Sequence, residues 1–153
     1  MQTVLILDNI RSTHNVGSIF RTADAVGISK IYLIGTTPDP IDRFGREQSD
    51  IAKTALGAEK SITWEHAETV FEVLQKYPEH FKIALEQSEN SIDYKNISPK
   101  EKNLIILGTE VTGLPKEILD ACDAIAEIPM AGEKESLNVS VATGVFLFRF
   151  LGK

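Results

Sequence analysis

The sequence is poor in cysteine, in positive charge and in long hydrophobic runs. Its 153 residues include a single cysteine, Cys122, which excludes an internal disulfide and a cluster of cysteine metal ligands and favours an intracellular, cytoplasmic protein. No apolar run approaches the roughly 18 residues that cross a bilayer. The N-terminus lacks the basic region and small-residue cleavage site of a signal peptide, so we expect no membrane partner.

Positive charge is scarce: 16 lysines and arginines face 22 aspartates and glutamates, a formal net charge of −6. This balance argues against indiscriminate nucleic-acid binding, which requires a broad basic surface. An RNA partner would need a local basic patch, and two stretches of the chain offer one. The candidate RNA-contacting residues are Arg11, His14, Arg21, Arg43, Arg46 and Lys53.

What is present is the composition of a globular protein, with 42% hydrophobic residues. The length predicts a single domain over residues 1–153, without an added RNA-binding domain. Short apolar runs at 3–7, 31–34, 81–85, 104–107 and 124–128, with a weaker one at 61–64, lack polar alternation. Such runs are typical of strands that are buried on both faces, as in a parallel sheet.

Helical spacing separates these runs. We predict helices over residues 16–26, ended by Gly27, over 67–77, from Pro115 to 121, and over 138–151. The last is apolar on nearly every side, which is typical of a helix that also packs against a partner subunit. Together these elements predict an α/β fold with a mostly parallel sheet flanked by helices. Segment 36–50 is predicted to be a functional loop and segment 87–102 a loop with some irregular structure.

A first polar cluster, residues 9–21, joins the first strand to the first helix, where ligands bind in open α/β sheets. Asn15 is a candidate N-cap of the helix, and Gly17 would allow another backbone to approach closely. Arg21 lies off the apolar stripe of the helix. The alternative is an ordinary capped helix with a solvated arginine.

A second cluster, residues 108–115, follows the most apolar strand. Gly108 and Gly113 permit a tight turn beside a ligand. The segment lacks the Gly-Lys-Ser/Thr ending of a phosphate loop, and Glu110 replaces the second glycine of a dinucleotide-binding loop and would repel a pyrophosphate. The alternative is a simple turn before a helix that begins at a proline.

A third cluster, residues 128–142, follows the last strand, and either Ser136 or Asn138 would cap the final helix. Polar groups at the start of an otherwise apolar helix need partners, because burying them unpaired is unfavourable. The alternative is a plain capping segment. All three clusters follow predicted parallel strands, so they are expected to converge on one edge of the sheet.

These clusters resemble a known family. The patterns N-x-G-x-x-x-R at 15–21, G-x-E-x-x-G at 108–113 and I-P-M-x-G-x-x-x-S-L-N-V-S-x-A at 128–142 are similar to the three motifs of the SpoU (TrmH-like) RNA ribose 2′-O-methyltransferases of the SPOUT superfamily. The third match is long, ordered and highly specific. The resemblance extends over residues 3–151.

The resemblance implies a fold with a C-terminal deep trefoil knot, a homodimer, and S-adenosyl-L-methionine as methyl donor. No metal is implied, since the donor carries its own leaving group. It gives cofactor-binding roles to eight residues: Leu85, Gly108, Glu110, Gly113, Ile128, Met130, Leu137 and Asn138. The implied catalytic residues are Arg21, Asn15, Glu110, Ser136 and Asn138.

The resemblance leaves the role of Arg21 open. A guanidinium is normally always protonated, which makes it an awkward general base. In the family an arginine assisted by an RNA phosphate is proposed to take the proton of the ribose hydroxyl. A milder role is to bind the phosphate and stabilise the forming oxyanion.

Several functional alternatives remain at this point. Segment 53–59, Lys-Thr-Ala-Leu-Gly-Ala-Glu, resembles tRNA guanosine methyltransferases, which favours tRNA over ribosomal RNA. A non-catalytic RNA- or partner-binding module of the same fold, a need for an accessory RNA-binding protein, and a generic nucleotide-binding protein are the other readings. His66 and His80 are interpreted as ordinary surface residues, and His14 as a possible RNA contact.

Overall fold

Seven parallel strands form one sheet in the computed structural model, which describes residues 1–109 and 111–153. The strands are β1 (Gln2–Asp8), β2 (Lys30–Ile34), β3 (Trp64–Ala67), β4 (Phe81–Leu85), β5 (Ile92–Asp93), β6 (Lys102–Leu107) and β7 (Ala124–Glu127). Their order across the sheet is β3-β2-β1-β6-β4-β7-β5, and every neighbouring pair is parallel. The predicted α/β class is confirmed, and the sheet is more uniformly parallel than expected.

In the described part of the chain, six α-helices and a 3₁₀ turn lie between or after the strands. They are α1 (Thr13–Val26), α2 (Ser49–Ala55), α3 (Ala58–Ser61), α4 (Val70–Lys76), α5 (Lys116–Asp120) and α6 (Val139–Leu151), with the 3₁₀ turn at Tyr94–Asn96. Helices α1, α2, α3 and α6 share a core with one face of the sheet, and α4 and α5 cover the other.

The absence of polar alternation in the strands has a simple cause. In β1, Leu5 and Leu7 pack into the core beneath α1 and α6, whereas Val4 and Ile6 pack beneath α4 and α5. Since successive side chains point to opposite faces, a strand covered on both faces buries all of them. The same division holds along β2 and β6.

Three predicted elements needed correction. The weak strand at 61–64 was placed too early, because Ser61 ends α3 and the strand starts at Trp64. The helix expected over 67–77 begins only at Val70, since Thr69 caps it and residue 67 still belongs to β3. Segment 87–102, predicted to be a loop with some irregular structure, also contains the two residues of β5 as well as the 3₁₀ turn.

Segment 36–50 is only partly a loop. A bridge joins Ile41 to Glu47, and Ser49 and Asp50 open α2, which sequence reasoning missed together with α3. Both helices are short, at seven and four residues, so they carry too few turns for helical periodicity to stand out.

Helix α1 begins earlier than predicted. Ser12, not Asn15, is the N-cap, and its side chain accepts a hydrogen bond from the Asn15 backbone N–H at 3.2 Å. The C-terminal end is as predicted, with Gly27 in the left-handed conformation.

Gly17 performs the role expected of it. A Cβ at this position would collide with Thr54 Oγ1 and with the backbone carbonyl oxygen of Ile51, both on α2. The Thr54 hydroxyl donates to the His14 carbonyl oxygen at 3.1 Å. Glycine therefore allows the close packing of α1 on α2.

His80 was predicted to be a surface residue, and this was wrong. It is only 8% exposed, packs edge-to-face on Tyr77 at 4.8 Å between ring centroids, and leaves both ring nitrogens without a hydrogen-bond partner in the described part of the chain. Burial lowers the pKa of this imidazole, and the positive charges of Lys102 and Lys82 lower it further.

This burial predicts acid sensitivity. The unfolded chain takes up the His80 proton first as pH falls below about 6.5, so the free energy of unfolding decreases from there through the lowered folded-state pKa. His80→Phe is expected to reduce the loss of stability between about pH 7.5 and about pH 5.5, as measured by urea unfolding. The control is His66→Phe, because His66 is an exposed histidine that pairs with Asp39. An unchanged pH dependence in His80→Phe would contradict the prediction.

A search of the described residues for a helix long and apolar enough to cross a membrane finds none.

Candidate functional site

The three polar clusters meet because of the strand order. β1, β6, β4 and β7 are consecutive in the sheet and parallel, so the segments after them leave the same edge. The convergence predicted from the sequence is thereby confirmed.

A cavity of about 410 Å³ opens at this edge between the ends of β4, β6 and β7 and the start of α6. Its volume lies in the range of small-molecule sites. Six of the eight residues predicted to bind the cofactor line it: Leu85, Gly108, Gly113, Ile128, Met130 and Leu137. Ser136, predicted to be catalytic, also lines this cavity and is exposed. We refer to it as the first cavity.

The turn after β6 forms one wall of the first cavity. The Gly113 backbone N–H donates to the Thr109 carbonyl oxygen at 3.0 Å, and Gly113 has a positive φ of 64°. A Cβ at Gly113 would collide with the Glu86 carboxylate, and one at Gly108 would lie 2.7 Å from Leu114 Cγ. Close packing therefore favours glycine at both positions of the second cluster, and backbone conformation favours it at Gly113 as well.

Glu86 holds this turn in place, and sequence reasoning missed it. Its Oε2 accepts a hydrogen bond from the Leu114 backbone N–H at 3.0 Å, and its Oε1 accepts from the Gln87 backbone N–H at 2.8 Å. The Glu86 N–H itself donates to the Ala126 carbonyl oxygen at 2.9 Å. One residue thus ties the end of β4 to β7 and to the turn after β6.

Gln87 makes a similar link to the third cluster, and it was also missed. Its Nε2 donates to the Glu135 carbonyl oxygen at 2.6 Å. The available signal was a Glu-Gln pair directly after a buried strand, at the edge where ligands bind. Segment 87–102 was instead interpreted as a loop because it is polar.

The first cavity is negatively charged. Glu86, Glu127 and Glu135 line it, and no lysine or arginine is among its described lining residues. An anionic ligand such as a nucleoside triphosphate would be repelled there, whereas a ligand with a positive centre would be attracted.

A second cavity, of about 700 Å³, adjoins the first. The turn after β1 and the start of α1 form one side of it, with Asp8, Arg11 and Asn15 among the lining residues. The two cavities share five lining residues, Thr109, Val111, Thr112, Gly113 and Val139. The two cavities therefore adjoin along the turn after β6 and the start of α6.

Asn15 and Asn138 connect the first and third clusters. Asn138 Nδ2 donates to Asn15 Oδ1 at 3.2 Å, and Asn138 Oδ1 caps α6 by accepting from the Ser140 backbone N–H at 2.9 Å. Of the two predicted caps, Asn138 is the one observed. It lines neither cavity, and its contact with Asn15 joins the third cluster to the first.

Arg21 lies apart from both cavities. It is exposed on α1, lines neither cavity, and forms no ion pair with any residue that the structure describes. Within one chain, therefore, Arg21 is not part of the described lining of either cavity.

The remaining predicted RNA contacts divide into two groups. Arg11 lines the second cavity, and His14 is exposed on the first turn of α1. Arg43 and Arg46 flank the exposed ring of Phe44, with guanidinium carbons 4.8 and 5.0 Å from its centroid. Lys53 is exposed on α2, with Nζ 3.8 Å from Asp50 Oδ1.

Neither Glu110 nor Cys122 adds a described group to the two cavities. Glu110, predicted to serve catalysis and cofactor binding, lies outside the described residues. The Cys122 thiol donates to the Ile118 carbonyl oxygen, and burial raises its pKa to about 11, so it is poorly suited to act as a nucleophile. No group of three metal-ligating side chains occurs among the residues described.

Comparison with known proteins decides the family. The sequence model of the SpoU rRNA Methylase family matches residues 2–148. The chain belongs to this family. A Staphylococcus aureus protein named as a TrmH family tRNA/rRNA methyltransferase is 30% identical over 154 residues, which is 100% of this chain and 60% of that protein. The chain thus spans about three fifths of the length of such relatives.

Two solved structures share the fold of this chain. The AdoMet-bound rRNA methyltransferase of Sinorhizobium meliloti is 34% identical, with a TM-score of 0.86 over 97% of this chain and 55% of that one. The A. aeolicus TrmH/SpoU tRNA modifying enzyme is 25% identical, with a TM-score of 0.85 over 99% of this chain and 74% of that one.

Proposed function

We propose that this SpoU-family chain is an S-adenosyl-L-methionine-dependent methyltransferase that modifies the 2′-hydroxyl of an RNA ribose. The first cavity carries the proposal, because residues of two of the three family motifs build its walls. A relative of the same fold was solved with AdoMet bound.

The chemistry of the first cavity suits this methyl donor. Gly108, Ile128 and Leu137 provide backbone groups and apolar surface for an adenosine, and the three glutamates complement a positive centre. When bound, S-adenosyl-L-methionine supplies a methyl group activated by a sulfonium. The cavity walls hold and orient it, and Glu86 keeps the turn after β6 in the required shape.

The second cavity is proposed to receive the ribose. It adjoins the first along five shared lining residues, so a hydroxyl held at this border lies beside the activated methyl group, and such alignment lowers the barrier to transfer. Asn15, fixed by Asn138, would contact the ribose. Ser136, exposed in the first cavity, would assist from the donor side.

Arg21 requires a second protomer in this scheme. It is exposed outside both cavities, and α6 presents an exposed apolar stripe of Val141, Val145 and Phe148 beside α1. We propose a homodimer formed through this stripe, in which Arg21 of each protomer binds the RNA phosphate and stabilises the oxyanion at the other protomer's site. The C-terminal trefoil knot implied by the family resemblance stays a prediction.

The RNA is proposed to be tRNA, with ribosomal RNA as the alternative. The support is segment 53–59, whose Lys53 is exposed on α2. The Arg43-Phe44-Arg46 turn would add contacts, since arginines beside an exposed ring suit phosphates and unpaired bases. Asp42 holds this turn by accepting hydrogen bonds from the Phe44 and Arg46 backbone N–H groups.

The test is methyl transfer from tritiated S-adenosyl-L-methionine to unmodified bulk tRNA and ribosomal RNA, followed by nuclease digestion. Recovery of label in 2′-O-methylnucleosides from the tRNA fraction is the expected result. Label in base-methylated nucleosides would contradict the ribose target, and label only in ribosomal RNA would contradict the tRNA preference.

A non-catalytic binding module is the second candidate, favoured by the net charge of −6. It predicts RNA or S-adenosyl-L-methionine binding without transfer to any RNA. If adding an accessory RNA-binding protein restored methyl transfer, the chain would be an enzyme that requires a partner and not a non-catalytic module.

A further inference from the structure

Asp8 is a buried carboxylate that the fold does not use. It is the last residue of β1, is 7% exposed, and lines the second cavity. Among the described residues no cation pairs with it, and its hydrogen-bond partner is Asn9 Nδ2, 3.3 Å from Oδ1. An ionised carboxylate that is buried without a cation costs folding free energy, so its presence in a cavity points to a function.

Asn9 orients this carboxylate. It occupies the left-handed region with φ 54°, and its Oδ1 accepts hydrogen bonds from the Thr36 backbone N–H at 3.0 Å and from the Thr36 hydroxyl at 3.2 Å. With Oδ1 held there, Nδ2 is directed at Asp8. Gly35 provides the space, since a Cβ on it would collide with Asn9 Oδ1. The contacts with Thr36, in the loop after β2, thus hold the Asn9 amide in place. The amide in turn orients the Asp8 carboxylate.

The surroundings of the second cavity suit a hydroxyl more than a phosphate beside Asp8. Asp8 is the one acidic side chain and Arg11 the one basic side chain among the described lining residues. The loop after β6 and the start of α6 add no charged group to that lining in the described part of the chain. A carboxylate repels a phosphate and accepts a hydrogen bond from a hydroxyl.

We propose that Asp8 is the general base that accepts the proton of the ribose 2′-hydroxyl. The inference rests on the proposed function. As the 2′-oxygen forms its bond to the methyl carbon, the carbon–sulfur bond of the donor breaks and its electron pair stays on sulfur. The hydroxyl proton passes to the Asp8 carboxylate and then to solvent, which leaves Arg21 the electrostatic role that a permanently charged guanidinium can fill.

Burial supports this assignment. It raises the pKa of the Asp8 carboxyl above its ordinary value, and a stronger base is a better proton acceptor. Because the folded carboxyl keeps its proton to higher pH than the unfolded one, ionisation of Asp8 lowers the free energy of unfolding as pH rises through that interval. Asp8→Asn removes this cost at neutral pH.

The test compares Asp8→Asn with wild type and with the exposed control Asp120→Asn. Asp8→Asn is expected to lower kcat by about 100- to 10,000-fold, with the Kd for S-adenosyl-L-methionine unchanged and the free energy of unfolding equal or higher. A merely structural Asp8 would instead lose stability on substitution. A kcat within about threefold of wild type would overturn the proposal.

A second measurement does not depend on turnover or on a folded variant. Carbon-13 NMR of the ligand-free wild type is expected to show Asp8 titrating above the ordinary aspartate range, and a value within or below that range would overturn the proposal. Failure of the wild type to methylate any RNA would refute the proposed function itself, whereas transfer that survives Asp8→Asn refutes only this inference.

Discussion

Replacing Arg21 with alanine is expected to lower methyl transfer to RNA by about 100- to 1,000-fold, the usual cost of removing one charged or hydrogen-bonding group that stabilises a transition-state oxyanion. The Kd for S-adenosyl-L-methionine should stay unchanged, because Arg21 lies outside the first cavity. Filter-based tritium transfer and isothermal titration calorimetry measure the two quantities. Arg21 is exposed, so the substitution should leave stability within about 0.5 kcal/mol.

The control for charge is Lys102→Ala, which removes one cation at the opposite edge of the sheet, where Lys102 pairs with Glu79. It should transfer methyl groups at the wild-type rate. If both variants lose activity equally, Arg21 contributes only to the general attraction of RNA. Arg21→Lys should recover little, since an ammonium lacks the planar fork that binds a phosphate at two points.

The position of Arg21 allows its action across the dimer to be tested. An equimolar mixture of Arg21→Ala with Glu86→Gln, which is expected to bind the cofactor weakly, should regain about a quarter of wild-type activity after subunit exchange, when the S-adenosyl-L-methionine concentration is well below the Kd of Glu86→Gln. Half of the randomly mixed dimers are heterodimers, and each contains one intact composite site. No recovery after verified exchange would place Arg21 and the cofactor of a functional site in the same chain.

The second large effect concerns Glu86. Glu86→Gln is expected to weaken S-adenosyl-L-methionine binding by about 10- to 100-fold, because charge-assisted hydrogen bonds of this kind are worth about 1.5–3 kcal/mol. Both carboxylate oxygens accept from backbone N–H groups, of Leu114 and Gln87. The side-chain amide of glutamine has only one oxygen, so its NH₂ group would face one of these two backbone N–H groups. The turn after β6 would then lose its shape.

The measurement is the Kd of the purified variant by calorimetry, with Glu89→Gln as the control. Glu89 is exposed in the same connection, so this substitution makes the same change in charge without disturbing the turn. Glu86→Asp should bind better than Glu86→Gln, since it keeps an anionic acceptor. Equal affinity in wild type and Glu86→Gln would show that the turn keeps its form without this contact.

Six of the eight predicted cofactor-binding residues line the first cavity, because each motif is a run of adjacent residues with a spacing that backbone geometry requires. Gly108 and Gly113 were singled out by position, and the structure shows the collisions that a Cβ would cause there. Glu86 and His80 were missed or misjudged for the opposite reason. Neither belongs to a motif, and their surroundings come from segments distant in the sequence.

The amino-acid sequence by itself determined the α/β class, the buried parallel strands, the convergence of three clusters on one edge and the family. These follow from local periodicity and from the rule that parallel strands end at a common edge. Tertiary structure alone decided that Ser12 caps α1, that Asp8 is buried beside Asn9, and that Arg21 stands outside both cavities. These three features depend on contacts between segments that are far apart in the sequence. A local sequence pattern does not indicate which side chain a distant loop will cover.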